Sequence, residues 1–381
     1  IGWNPARGYG SDHSRRITMS RLFAILFAIL CAAIPVSAVH AQLLPERLYN
    51  GINQEIPLRV QLPAGALRAE IHLLSPSTGL VETRSAVDAG RIDLSAVFPL
   101  IWTERKPRVR YAQLVVDEIR VGSPIVIEPL VTPSTAEDRL TSVLRAAALL
   151  DEAGDRIRTI LALPIPARQR LREEIVLHDP PESVFSGVRT WTLERVVFET
   201  TAGELEIALR PDAAPRTAYH FLMLCKGGFY TGTTFHRVIA EDAQGNPFLI
   251  QGGDPTGTGA GGPGFSIDFE RSPLKHDFGI VSLARLPSDP NSGGSQFFIC
   301  LSREACAGLD GQYTAFAEVV RGASTLQTIA ALPVGPVDPS AEDSPLERPL
   351  EPPVITAVRV VGATPTANER VDPTDVPPVR R

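Results

Sequence analysis

The chain is poor in lysine, methionine and cysteine, and its N-terminal apolar run is short. Of 37 basic residues only three are lysine, a bias that we attribute to genome composition rather than to function. The apolar run 22–34 has 13 residues, whereas a membrane-spanning helix needs ~20. The net charge of -6 argues against a surface that binds nucleic acid. We therefore expect neither a stable membrane span nor a nucleic-acid partner.

Residues 19–41 are typical of a secretory signal peptide. A short basic region precedes the apolar run. Val39-His40-Ala41 ends the segment with the small residues that cleavage after Ala41 requires. Residues 1–18 are expected to be upstream sequence outside the natural product. The sequence thus predicts an exported protein, either periplasmic or secreted.

An evident nucleophile, acid/base pair or cluster of metal ligands is also lacking. His236 and His276 are lone histidines without partners at ligand spacing, so we expect no metal site. Cleavage after residue 41 would leave Cys225, Cys300 and Cys306. An odd number of cysteines in an exported protein argues against a disulfide framework, and buried free thiols are expected.

At 381 residues the chain is too long for one ordinary domain. Alternating apolar and polar residues between Gly, Pro and Ser turns predict a small β-sandwich-like domain over 42–132. A capping-box pattern at Ser134–Glu137 predicts the first helix of a helical connector over 133–187. Proline-rich composition predicts a disordered tail over 363–381, and a loop or extended linker over Gly335–Pro353.

Three blocks in the C-terminal half carry most of the functional information. They are Phe235-His236-Arg237, Phe248-Leu249-Ile250-Gln251-Gly252-Gly253-Asp254, and Gly294-Ser295-Gln296-Phe297-Phe298-Ile299. One arginine, two glutamines and several aromatic residues suit a reaction that breaks no covalent bond. The pattern G-x-G-x-x-G over Gly257–Gly262 does not indicate a nucleotide site, because Pro263-Gly264 follows it where a helix would be needed.

In this order and spacing, the blocks resemble the cyclophilin family of peptidyl-prolyl cis-trans isomerases. Further matching segments are Pro215-x-Thr217, Gly259-Ala260-Gly261-Gly262, Ser282-Leu283-Ala284 and Leu309-Asp310-Gly311. The resemblance covers roughly residues 194–362 and implies an isomerase domain over 188–362. It also implies a mainly β chain whose C-terminal domain is a closed antiparallel eight-stranded barrel with two capping helices, and it implies no cofactor.

The resemblance also assigns roles to individual residues. Arg237, Gln251 and Phe298 are the implied catalytic residues. The implied substrate-binding residues are Phe248, Leu249, Gly259, Ala284, Arg285, Gln296, Leu309 and Tyr313. Arginine suits the central role because its planar fork can donate to the prolyl nitrogen and hold a carbonyl at the same time.

Some positions depart from the well-known eukaryotic members. Gly308 stands where those members have tryptophan, Tyr313 where they have histidine, Arg285 where they have asparagine, and Leu249 where they have methionine. In having tyrosine and arginine at these positions, the chain resembles bacterial-type cyclophilins. Because the indole is missing, the resemblance implies weak binding of cyclosporin.

The sequence therefore predicts an exported, bacterial-type enzyme that isomerises X-Pro bonds in proline-containing proteins and assists their folding. One alternative is a non-catalytic module or chaperone that binds proline peptides in the same groove. Another is that the N-terminal β domain carries the main function, for instance by docking to a cell-surface partner, with the isomerase as an accessory.

Overall fold

The computed structural model describes residues 41–104, 106–132, 184–341 and 343–363. These residues are mainly β, as predicted. The N-terminal strands are β1 (Gln42–Pro45), β2 (Tyr49–Gly51), β3 (Pro57–Gln61), β4 (Ala69–Leu74), β5 (Val81–Ala86), β6 (Gly90–Asp93), β7 (Arg110–Val116), β8 (Ile119–Thr132) and β9 (Val184–Thr192). Two short helices, α1 (Leu94–Val97) and α2 (Leu100–Thr103), follow β6.

Two sheets of this N-terminal unit share one apolar core. Their strand orders are β1-β3-β6 and β2-β9-β8-β7-β4-β5. Side chains two apart on one strand point to the same face, and Leu58 and Val60 of β3 are accordingly buried together with Ile71 and Leu73 of β4. The alternation that predicted strands over this region therefore reflects residues that face the shared core.

Strand β9 extends the N-terminal unit beyond the range that the sequence suggested. It pairs antiparallel with both β8 and β2, so residues 184–192 belong to the N-terminal sheet. The helices predicted within 133–187 and the predicted tail beyond 363 lie outside the described residues. The other domain boundaries stay predictions.

The C-terminal unit is built on a second set of strands. They are β10 (Glu194–Thr200), β11 (Gly203–Leu209), β12 (Arg237–Glu241), β13 (Pro247–Gly252), β14 (Ile280–Leu283), β15 (Phe297–Cys300), β16 (Thr314–Arg321), β17 (Val334–Pro336), β18 (Leu346–Pro349) and β19 (Ile355–Gly362). The helices are α3 (Pro215–Lys226), α4 (Arg303–Cys306) and α5 (Ala323–Ala330), and a 3-10 turn spans Ala307–Leu309.

Eight of these strands form one curled antiparallel sheet, which is open. The strand order is β12-β13-β15-β14-β16-β11-β10-β19. Between the edge strands β12 and β19 the described residues show no ladder, only an isolated bridge of Thr234 with Val354 just ahead of both strands. The prediction of a closed barrel is therefore wrong. Strand β18 lies beside β12 at this edge, and β19 makes its ladder with β10.

Helix α3 packs on this sheet and contacts β10, β16 and β19. Proline at its first position suits a helix start, and Ala218, Phe221, Leu222 and Cys225 are buried at the spacing of one helical face. Phe221 lies 5.0 to 6.0 Å, between ring centroids, from four aromatic rings of the core, those of Phe198, Tyr230, Phe297 and Phe316. The helix is thus held by aromatic packing against the sheet.

The proline-rich segment Gly335–Pro353 is partly folded, contrary to the prediction of a loop or linker. Strands β17 and β18 pair antiparallel, and backbone hydrogen bonds from Val337 N to Pro345 O and from Leu350 N to Pro333 O close the hairpin at 3.0 Å each. Val334, at the base of the hairpin, packs against the main apolar core. The hairpin therefore has a fixed position next to β12.

The two units meet through an apolar contact that surrounds one buried ion pair. Trp191 of β9 packs on Tyr219 of α3 with ring centroids 5.5 Å apart. Arg189 donates to both carboxylate oxygens of the buried Glu128, at 2.9 and 2.6 Å, and its guanidinium lies 3.8 Å from the Tyr219 ring centroid. Burial raises the pKa of Glu128, and the hydrogen bonds from Arg189 oppose that shift.

None of the helices within the described ranges is long and apolar enough to cross a membrane.

Candidate active site

Three adjacent strands at one edge of the sheet place the implied catalytic residues in a row. Arg237 of β12 stands directly opposite Gln251 of β13, and Gln251 stands directly opposite Phe298 of β15. Directly opposed residues have Cβ atoms ~4.5–5.5 Å apart. The register of two strand pairings therefore brings together residues that are 14 and 47 positions apart in the sequence.

A chain of hydrogen bonds runs from this row to the glycine-rich loop. Arg237 donates from Nη1 to Gln251 Oε1 at 3.4 Å, and Gln251 donates from Nε2 to Gln296 Oε1 at 2.8 Å. Gln296 in turn donates from Nε2 to the carbonyl oxygens of Gly259 and Gly261, at 2.9 and 2.8 Å. These hydrogen bonds fix the side-chain amides of Gln251 and Gln296 in one orientation between the row and the loop.

Asp254 fixes the glycine-rich loop through hydrogen bonds to its backbone. Its buried carboxylate accepts from the backbone N–H groups of Thr256, Gly259 and Gly261 at 2.5 to 3.1 Å. Burial acts to raise the pKa of Asp254, but these hydrogen bonds outweigh it and lower the pKa to about 2. A Cβ at Gly261 would lie 2.0 Å from Asp254 Oδ1, so only glycine permits this approach. Asp254 thereby fixes the conformation of the loop.

An apolar cluster lies beside the row. Leu249 and Phe298 are buried and form its core together with Cys300 and Cys306. The half-buried residues that pack against this core are Ile239, Phe248, Ala284, Leu309 and Tyr313. The structure thus gathers all five apolar substrate-binding candidates, including Phe248, although strand alternation places Phe248 and Leu249 on opposite faces.

Tyr313 and Arg285 lie at the outer side of this cluster, since Tyr313 is half-buried and Arg285 packs over its ring. The Tyr313 ring meets Phe298 edge to face, with centroids 5.3 Å apart, and Arg285 Cζ lies 4.7 Å from the Tyr313 ring centroid. Arg285 Nη2 donates to the carbonyl of Gln312 at 2.9 Å. Arg285 therefore covers the tyrosine.

His276 supports Phe298 from behind, a role that its sequence context did not reveal. It is fully buried and stacks on the Phe298 ring at a centroid distance of 6.0 Å. Its Nδ1 lies 3.1 Å from Asp310 Oδ1 and its Nε2 lies 2.7 Å from Ser282 Oγ. Burial lowers the pKa of His276 and outweighs the opposing effect of Asp310, so the ring is neutral at pH 7.

Glu347 is the residue of the site that sequence reasoning missed. It lies on β18, 110 positions from Arg237, and accepts from Arg237 Nε at 2.5 Å. Its side chain is 18% exposed, compared with 41% for Arg237. No sequence signal could have found it, because it sits in a proline-rich segment whose composition is typical of a linker.

The described residues contain no group of three or more His, Cys, Asp or Glu side chains that could hold a metal ion. Cys225, Cys300 and Cys306 are free and buried, as expected. The arrangement has a positioned guanidinium, two oriented amides and an apolar cluster. It suits binding and twisting of a peptide rather than bond cleavage.

The C-terminal part of this chain is similar in sequence to known proteins. The family model described as cyclophilin type peptidyl-prolyl cis-trans isomerase/CLD matches residues 195–360. Peptidyl-prolyl cis-trans isomerase CYP65 of Arabidopsis thaliana is 43% identical over 157 residues, which are 40% of this chain and 24% of that protein. Peptidyl-prolyl cis-trans isomerase-like 1 of Gibberella zeae is 40% identical over 157 residues, 40% of this chain and 88% of that protein.

A crystal structure of a Cryptosporidium parvum cyclophilin type peptidyl-prolyl cis-trans isomerase, solved in the presence of the dipeptide Ala-Pro, is 35% identical to this chain. It aligns with 45% of this chain and 99% of that chain, with a TM-score of 0.38.

The Gibberella zeae relative is 40% identical to this chain, and the match covers 88% of its length. This protein therefore belongs to the cyclophilin family, and it spans about a quarter of the length of the plant relative.

The neutral state of His276 predicts a pH dependence of stability. The folded-state pKa lies below the unfolded value of about 6.5. As the pH falls below that value, the unfolded chain therefore binds a proton that the folded chain does not, and the free energy of unfolding decreases. In His276→Gln this contribution is absent, so urea unfolding between pH 6.5 and pH 5 should show a shallower loss of stability than in the wild type. Equal slopes for the two proteins would contradict this role.

Proposed function

We propose that residues 195–360 catalyse cis-trans isomerisation of X-Pro bonds in proline-containing proteins and peptides, and so assist the folding of exported proteins. The observation that carries this proposal is the placement of Arg237, in register with Gln251 and Phe298. Family membership supports the same reaction.

The reaction requires stabilisation of a twisted amide. Rotation about a peptide bond meets a barrier of ~18–20 kcal/mol because the nitrogen lone pair is conjugated with the carbonyl. At the top of the barrier that lone pair is free to accept a hydrogen bond. A donor that reaches it only in the twisted state lowers the barrier, and each tenfold in rate needs ~1.4 kcal/mol.

The residues of the site contribute to this stabilisation in different ways. The apolar cluster that contains Leu249 and Phe298 would pack against the apolar proline ring. Gln251 and Gln296, already oriented by their mutual hydrogen bond, would hold the substrate backbone without exchanging protons. Arg237 would then donate to the prolyl nitrogen as the bond rotates. No covalent step is needed.

Arg237→Ala should lower kcat/KM for a Xaa-Pro peptide by at least about tenfold, or ~1.4 kcal/mol, because the donor to the prolyl nitrogen is lost. Arg237→Lys should not restore the wild-type kcat/KM, since an ammonium lacks the planar fork. A protease-coupled or NMR exchange assay measures both. Arg359→Ala is the matched control, because Arg359 is another half-exposed arginine in an ion pair, with Glu199.

A smaller effect of Arg237→Ala would contradict the role of Arg237. If the wild-type protein binds proline peptides but accelerates no exchange, the groove is instead a non-catalytic binding or chaperone module.

Weak binding of cyclosporin is part of the same proposal. Gly308 lies in the turn Ala307–Leu309, and a Cβ placed on it meets nothing within 4 Å. The wild-type protein therefore lacks a side chain that could cover an apolar ligand there. Gly308→Trp should tighten inhibition by cyclosporin at least tenfold and leave peptide turnover in place, because an indole adds apolar area and an N–H donor. Nanomolar inhibition of the wild type would contradict this prediction.

Export is proposed from residues 19–41, which lie outside the described residues. The full chain expressed in a Gram-negative bacterium should be recovered outside the cytoplasm with a new N-terminus at Gln42. Mass spectrometry of the fractionated protein measures this. A chain that begins at residue 42 is the control and should stay in the cytoplasm. Recovery of both forms in one compartment would contradict export.

A further inference from the structure

We infer that Glu347 is a positioning residue for Arg237, fixing the guanidinium in the orientation that the isomerisation needs. The inference deepens the proposed function and rests on it for its kinetic consequence. It makes the hairpin β17–β18 a working part of the site rather than a connector.

The hydrogen bonds of Arg237 leave its reactive side available. A guanidinium has five N–H donors. Within the described residues, one on Nε goes to Glu347 and one on Nη1 goes to Gln251, so three remain, two of them on Nη2. Two anchors at different nitrogens set the plane of the fork, because a single anchor would leave it free to rotate. The contact with Glu347 thus orients the arginine without occupying it.

The hairpin is shaped to deliver this carboxylate. On β17 and β18, Gly335 pairs with Arg348 and Pro336 pairs with Leu346, so Glu347 is the extra residue of a β-bulge. Bulges re-aim a side chain and occur often beside active sites. At its base Val334 packs in the main core. Glu347 therefore projects from a rigid, anchored support toward β12.

Orientation matters here because an arginine side chain is long and loses much rotamer freedom when it is fixed. A catalytic group has to be held within ~0.5 Å of its productive position, and neighbouring side chains provide that hold. The Gln251 contact, at 3.4 Å, is too long to do so alone. The charged contact at 2.5 Å is the shorter and stronger of the two.

The test compares four proteins: the wild type, Glu347→Gln, Glu347→Asp and Glu351→Gln. Glu347→Gln removes the charge and keeps the shape. Glu347→Asp keeps the charge and should recover part of the activity. Glu351→Gln makes the same charge change at an exposed position four residues further along and serves as the matched control. A thermal melt should place all four within about 3 °C, because a partly exposed ion pair contributes little to stability.

Two measurements decide the inference. Glu347→Gln should lower kcat/KM for a Xaa-Pro peptide about tenfold, mostly through kcat, whereas Glu351→Gln should change it less than twofold. In ¹⁵N NMR spectra, the Arg237 Nε–H signal, assigned by its loss in Arg237→Lys, should exchange slowly with water in the wild type and in Glu351→Gln. It should exchange rapidly in Glu347→Gln.

The outcomes separate this inference from the proposed function. Unchanged or faster turnover in Glu347→Gln would overturn it, and faster turnover would show that the carboxylate competes with substrate. An Nε–H signal that does not respond to Glu347→Gln would overturn it as well. A wild-type protein that is inactive, yet shows the predicted change of that signal, would refute the proposed function and leave the positioning of Arg237 supported.

Discussion

The proposed function depends on keeping one guanidinium in a fixed orientation on the surface of a β-sheet. Arg237 is only partly covered, so packing alone cannot hold so flexible a side chain. Side chains from three separate parts of the chain contribute to holding the Arg237 guanidinium. Gln251 contributes from the neighbouring strand, Glu347 contributes from a hairpin, and Gln296 fixes Gln251 in turn. The glycine-rich loop completes the chain of contacts, since its carbonyl groups accept from Gln296.

The open edge of the sheet is also where the hairpin that carries Glu347 lies. A ladder between β12 and β19 would close the sheet, but only one isolated bridge forms there among the described residues, and β18 lies beside β12. The segment whose composition predicted a linker therefore becomes the support of an acidic side chain. In this protein the strand that carries the arginine is an edge strand of the sheet, and the hairpin covers it.

The N-terminal unit is joined to the C-terminal unit by packed side chains as well as by the chain itself. Trp191 and Tyr111 of the N-terminal sheet belong to the same apolar cluster as Phe198 and Phe221. The ion pair of Arg189 with the buried Glu128 leaves the guanidinium stacked on Tyr219 of α3. A buried charge left unpaired would be costly, so this contact favours one fixed arrangement of β9 against the helix.

The sequence by itself determined the family, most strands and the set of candidate residues, because short-range patterns carry that information. Alternation revealed strands such as β3 and β4, and the three blocks identified Arg237, Gln251 and Phe298. Only the tertiary structure decided that the sheet is open, that Glu347 meets Arg237, and that His276 supports Phe298. These contacts depend on strand register, on a bulge and on chain reversals, which bring together residues as far as 110 positions apart. Neither composition nor periodicity records such distances, since each describes only the neighbours of a residue along the chain.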